Sequence, residues 1–155
     1  MRKAAVYNQA WGGRSEGQIE RVLADGETWD IFLINDGTCV LVDVPEEADA
    51  EFLTATGSVD NWTVMEDTDG KNAFKRASKL AQIEQEQRRI LDIADIEIFK
   101  LEDVSGDTSS WRTYRQNVRL VNDAYKNYAT DSGHAAALDA LSDNPVSELS
   151  WPSTP

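Results

Sequence analysis

A chain of 155 residues, 41% hydrophobic and 28% charged, has room for one ordinary domain or two small ones joined by a helix, and enough apolar content to pack a core. Its formal net charge of -13 repels phosphate backbones, which disfavours nucleic-acid binding and points to a protein partner. No apolar run reaches the roughly 20 residues of a membrane span, and the start, Met1-Arg2-Lys3-Ala4-Ala5-Val6-Tyr7, lacks the apolar stretch of a signal peptide, so a soluble protein on the cytosolic side is expected.

Residues 1 to about 66 read as a small α+β unit. Lys3-Ala4-Ala5-Val6-Tyr7 suits a first strand, followed by a glycine-rich loop at Gly12-Gly13. Gln18-Ile19-Glu20-Arg21-Val22-Leu23-Ala24 suits a second, stopped by Asp25-Gly26. A hairpin is then expected, with Trp29-Asp30-Ile31-Phe32-Leu33-Ile34 and Cys39-Val40-Leu41-Val42-Asp43-Val44 flanking Asn35-Asp36-Gly37-Thr38, because glycine accepts the positive φ of a tight turn. Pro45 ends that strand and opens a short helix, Glu46-Glu47-Ala48-Asp49-Ala50-Glu51-Phe52-Leu53, whose early acids complement the helix dipole. Asn61-Trp62-Thr63-Val64-Met65-Glu66 alternates as a strand should, and Asp67-Thr68-Asp69-Gly70 follows as a loop.

From Asn72, a reasonable cap, to about Asp103, the pattern predicts one long helix with no Gly or Pro inside it. Phe74, Ala77, Leu80 and Ala81 form one apolar face, Gln82 to Arg89 is almost wholly polar, and Ile90 to Leu101 resumes the apolar content too densely for one stripe. A helix wet in the middle and apolar at both ends reads as a rod linking two packed regions. No heptad persists, which argues against a coiled coil. Thr108-Ser109-Ser110 supplies caps for a helix from about Ser110 to Tyr128, and Asp131 or Ser132 caps a short one from His134 to Leu141. The remainder, to Pro155, is proline-punctuated and extended. The expected architecture is therefore α+β: residues 1–70 a β-rich unit with a hairpin, 71–103 a long connecting helix, and 104–155 a helical module with an extended tail.

No chemistry of catalysis stands out. Cys39 lies in an apolar strand and reads as a buried, inert thiol; one cysteine and one histidine, His134, supply no zinc ligand set. Asp67-Thr68-Asp69-Gly70 fails as a calcium loop, since Lys71, Asn72 and Ser78 fall where a ligand, a glycine and a bidentate glutamate are needed. Gly12-Gly13-Arg14 lacks the Lys-Ser/Thr of a phosphate loop, and no spacing singles out a carboxylate pair. No catalytic residue, metal or cofactor is expected, and the chain reads as a non-enzyme.

Two features of the C-terminal half are specific together: Trp111-Arg112-Thr113-Tyr114-Arg115-Gln116-Asn117-Val118-Arg119, and the end, Trp151-Pro152-Ser153-Thr154-Pro155. They resemble the C-terminal module of bacteriophage tail assembly chaperones and tail-fibre assembly proteins, in which a W-x-x-Y-R-Q-x-x-R helix is followed by a terminal W-P-x-x-P. Upstream, Arg88-Arg89-Ile90-Leu91 and Asp95 stand in the family's order. The chain departs from the pattern at Ile96, where the family usually has tryptophan, and in the alanine-rich helix inserted before the terminal Trp-Pro. Nothing in residues 1–70 adds to the resemblance.

The spacing has its own physical sense. Trp111, Tyr114 and Val118 share one helix face, and Arg115 and Arg119 stand one turn apart on an adjacent face. A returning tail can lay Trp151 and Pro152 on the aromatic face, with Arg115 or Arg119 bonding tail carbonyls or Glu148. Trp111, Tyr114, Arg115, Gln116, Arg119, Trp151, Pro152 and Pro155 are thus the candidate residues, either as the module's own core or as a direct partner-binding surface. The resemblance implies a protein that binds a phage tail fibre or baseplate protein in the host cytoplasm and assists its folding, trimerisation or attachment. The alternative is a permanent virion component bridging neighbouring tail proteins. A lysis enzyme, from another class, lacks a catalytic set. Self-association is left open.

Overall fold

The computed structural model describes residues 1–28 and 31–155, with only the backbone of residues 31 and 32. The fold is α+β and divides into two compact units, Met1–Lys71 and Asn72–Pro155.

The first unit is built on strand β1 (Lys3–Tyr7), which pairs antiparallel with β2 (Ile19–Leu23) on one side and β3 (Cys39–Asp43) on the other. Ala4, Ala5, Val6 and Tyr7 are all buried, as the unbroken apolar run of a central strand covered on both faces should be. A second sheet is the hairpin of β4 (Leu53–Ser58) and β5 (Asn61–Glu66). Ala4, Val6, Val44, Ala48 and Val64 form the core of this unit, with Ile19, Val42, Leu53 and Trp62 packed around it. The Arg2 guanidinium donates to the carbonyls of Pro45, Glu46 and Ala48 and so fixes the segment after β3.

Three expectations for this unit are corrected. Residues Ile31–Asn35 form a short helix, α1, not the first arm of a hairpin; Trp29 and Asp30 lie outside the described residues. Gly37, at φ 77°, donates its amide to the Ile34 carbonyl at 3.2 Å and closes α1, while Asp36 accepts from the Thr38 amide at 2.9 Å. An Asp-Gly pair serves a helix C-terminus as readily as a hairpin turn, and here β3 finds its partner in β1 instead. The helix expected over 46–53 shrinks to a 3-10 turn at Ala50–Phe52, capped by Asp49. Leu53 already belongs to β4, a strand the sequence reading missed.

Helix α2 (Thr68–Asp103) begins earlier than Asn72. Asp67 Oδ1 accepts the Gly70 amide at 2.9 Å, so the Asp-Thr-Asp-Gly segment is a helix cap and first turn, not a loop. Beside it, Glu66 accepts the Asp49 amide at 2.7 Å and lies 3.0 Å from Lys71 Nζ, which is 3.4 Å from Asp49. The Asp49 amide and the Lys71 ammonium hold the Glu66 carboxyl below its ordinary value, and Glu66 in turn raises Lys71.

The second unit packs α2 with α3 (Ser109–Leu120), α4 (Ser132–Ala140) and the tail. The middle of α2 is not wet all round: Ile83, Ile90 and Ala94 are buried. Gln87, inside the polar stretch, donates to the carbonyls of Val118 and Arg119 at 2.9 and 3.2 Å. The last turn of α3 is thereby satisfied from α2, and the chain leaves through a 3-10 turn at Val121–Ala124, short of the Tyr128 expected. Asp107, not the Thr108-Ser109-Ser110 run, holds the N-terminus of α3, accepting the Ser109 amide at 2.8 Å. Asp131 caps α4 through the Gly133 and His134 amides. Arg76 grips Asp139 of α4 with two bonds of 2.8 and 2.6 Å. Lys79, only 9% exposed, donates to the Leu138 and Leu141 carbonyls at the same C-terminal end of that helix. A 3-10 turn at Pro145–Ser147 interrupts the tail expected to be extended. Among the described residues no helix is long and apolar enough to cross a membrane.

Candidate functional site

The helix α3 and the chain end converge on one cluster. Ile90 and Ala94 of α2 and Tyr114 and Val118 of α3 are buried together, with Leu91, Trp111 and Trp151 packed against them. The i, i+3, i+7 spacing of Trp111, Tyr114 and Val118 brings all three to the same side of α3. Trp111 and Tyr114 meet edge to face, with ring centroids 5.6 Å apart and planes at 89°, the geometry in which a positive ring edge meets a negative ring face. Trp151 returns to this cluster across the tail, and its indole Nε1 donates to the Val146 carbonyl at 3.2 Å, which satisfies its one polar group. Pro152 and Pro155 continue past it along α3. With Ser109, Thr113, Tyr114 and Asn117 they line a shallow cleft of about 350 Å³.

The arginines do not do what the spacing suggested. Arg115 turns to α2, where its Nη2 donates to Asp95 Oδ2 at 3.0 Å and its Nε lies 2.7 Å from Asp95 Oδ1. The Nε arm is off line for a hydrogen bond, so it contributes charge contact rather than a second directed bond. Neither arginine reaches Glu148 or a tail carbonyl. Glu148 is instead held by Ser142, whose hydroxyl and backbone amide lower its pKa, with the amide 3.0 Å from Oε1. Arg119 and Gln116 are exposed, and the Arg119 side chain makes no ion pair with any described residue. The module therefore divides the candidates: Trp111, Tyr114, Arg115 and Trp151 hold it together, Pro152 sits at its rim, and Gln116, Arg119 and Pro155 face outward.

Asp95, Ile90 and Leu91, noted upstream for their order, prove to be the α2 side of this cluster. Gln87 and Lys79 went unnoticed because a polar residue in a helix gives no sign in sequence that its partner is a distant carbonyl. Among the described residues no group of three or more His, Cys, Asp or Glu side chains is placed to hold a metal ion. Cys39 is buried at the start of β3. What the arrangement offers is a docked aromatic-proline tail on an amphipathic helix, with polar and basic groups left at the surface. No protein-family model, no curated protein and no solved structure matches the chain.

Proposed function

We propose that this chain is a non-enzymatic bacteriophage tail protein of the tail-fibre assembly chaperone type. It binds a tail fibre or another tail protein and assists its folding, trimerisation or attachment. The observation that supports this reading is the module itself: the Trp111-to-Arg119 helix and the terminal Trp-Pro segment, the two motifs that resemble that family, meet in one cluster with Ile90, Leu91 and Ala94. A chaperone of this kind covers apolar or strand-edge surface on an incomplete fibre until its proper neighbours replace it. The packed module would present Gln116, Arg119 and the Pro152–Pro155 rim to such a client.

Mass spectrometry of salt-washed virions and of infected-cell lysates tests the proposal. The chaperone reading expects the polypeptide bound to fibre protein in lysates and absent from particles. A fixed copy number in washed particles would replace it with a permanent tail adaptor, and no association with tail proteins in either fraction would end both readings.

A further inference from the structure

The side of α2 that faces away from the cluster carries its own apolar line. Ile96 and Phe99, 55% and 66% exposed, lie opposite buried Ile90 and Ala94, and Ile93, on the flank next to Ile90, is 42% exposed. Asp92, Ile96, Phe99 and Asp103 follow one another at spacings of four, three and four, a single stripe along a helix. The basic groups nearby pair with other acids: Arg88, one turn before Asp92, with Glu84 at 3.8 Å, Arg89 with Glu86, Lys100 with Glu97, Arg112 with Glu102, and Arg115 with Asp95. Asp92 and Asp103 are exposed and ion-paired with no described residue, one at each end of the stripe and about 16 Å apart at the rise of an α-helix.

We infer that this face of α2 is a docking surface for an amphipathic helix of a partner protein, with an apolar stripe flanked at both ends by lysine or arginine. Charge selects that occupant over a second copy of this chain. In an antiparallel self-pairing centred between Ile96 and Phe99, Asp92 would meet Asp103 of the other copy. In a parallel one, each aspartate would meet its own equivalent, and two chains of net charge -13 would be brought together. A basic-ended helix places opposite charges at both ends while covering Ile93, Ile96 and Phe99, the apolar anchors of helix-in-groove recognition. The inference rests on the proposed function only for which protein supplies the helix.

The test uses the full chain and a labelled synthetic helical peptide with leucines on one face and two lysines at each end. The comparison peptide carries glutamates in place of the lysines, and binding is read by fluorescence anisotropy. The lysine peptide is expected to bind at least tenfold more tightly. The double change Asp92→Lys with Asp103→Lys should abolish that preference, whereas Glu16→Lys with Glu47→Lys, the same change of charge at exposed sites in the other unit, should keep it. Ile96→Ser with Phe99→Ser should weaken the lysine peptide at least tenfold with an unchanged circular-dichroism spectrum, since both side chains are exposed. Equal losses from the two charge reversals, or indifference to the serine changes, would overturn the inference. So would sedimentation showing a wild-type dimer that Phe99→Ser splits, because the face would then belong to a second copy. Peptide binding without fibre association would retire the tail-fibre reading and leave this surface standing; fibre association that survives the serine changes, with no peptide preference, would do the reverse.

Discussion

Replacing Lys79 by methionine isolates the one buried ammonium of the second unit. The methionine keeps most of the apolar stem and removes the donor that reaches Leu138 O at 3.1 Å and Leu141 O at 2.5 Å. A hydrogen bond to a charged donor contributes about 1.5–3 kcal/mol. The Leu138 carbonyl keeps the Leu141 amide at 3.2 Å, so its loss falls at the low end of that range. The Leu141 carbonyl loses its charged partner, and α4 loses a cation at its negative end, an effect of about 0.3–1 kcal/mol. Against these stands the relief of no longer desolvating an ammonium, which takes back a share of the gain. The balance is a destabilisation of about 2 kcal/mol, or about 8–16 °C in Tm for a cooperative unit of about 60–100 residues. Urea unfolding followed by tryptophan fluorescence and far-ultraviolet circular dichroism would measure it, with Lys75→Met, an exposed neighbour on the same helix, expected to stay within about 0.5 kcal/mol of wild type. A Lys79→Met protein as stable as wild type would refute the reasoning and show that the buried charge only breaks even.

Other consequences are as direct. Trp151→Ala should cost about 2 kcal/mol in the same unfolding assay, less than the roughly 3–5 kcal/mol of a fully buried tryptophan because the ring is partly exposed. Gly57→Ala, at φ 140° and opposite Trp62 in the β4–β5 pairing, would push a Cβ into the Asn61 carbonyl; a fall of more than about 2 kcal/mol is expected, and a neutral result would mean that the hairpin has room to open. The Glu66 carboxyl is held below its ordinary value, so its contribution is complete above the pKa of an unfolded glutamate, about 4.3, and disappears as pH falls through the lower folded value. The stability gap between wild type and Glu66→Gln should accordingly be constant near neutrality and close in acid; a gap that widens below pH 4 would contradict the sign. For Arg115 and Asp95, a double-mutant cycle to alanine should return a coupling of about 1 kcal/mol, modest because both side chains are partly exposed.

Elements whose patterns have one physical meaning were legible in the sequence. The run Lys3–Tyr7, the alternation of Asn61–Glu66 and the long stretch without Gly or Pro in α2 each admit a single reading, and each was found within a few residues. Asp36-Gly37 has two, since the same left-handed glycine closes a hairpin or ends a helix. The choice was made by β1, whose edge takes β3 over the full length from Lys3↔Asp43 to Tyr7↔Cys39. Leu53–Ser58 was hidden because the acids before it suggested a helix and its own Thr-Ala-Thr-Gly-Ser carries few of the bulky residues that mark strands. In the module, the aromatic face of α3 follows from spacing, but neither the seat of Trp151 nor the partner of Arg115 does. An arginine can be placed on a helix face from sequence; which of 28 acids it meets cannot.

Asn8 ties the end of β1 to the β4–β5 turn far along the chain. Its side-chain Oδ1 accepts from the Asp60 amide at 2.7 Å and the Trp62 indole at 3.0 Å, and its Nδ2 donates to the Asp60 carboxylate at 2.6 Å. Asp60 holds a φ of 61°, a left-handed conformation uncommon outside glycine, though aspartate and asparagine take it more readily than most. The clamp on this turn thus comes from more than fifty positions earlier in the chain. β4 and β5 are neighbours in sequence and pair locally, so the contact from Asn8, 52 positions away, comes later and locks a turn already made. A deletion or bulky fusion that displaces β1 should therefore loosen the hairpin tip around Asp60, a distant effect that amide exchange at residues 57–62 would register.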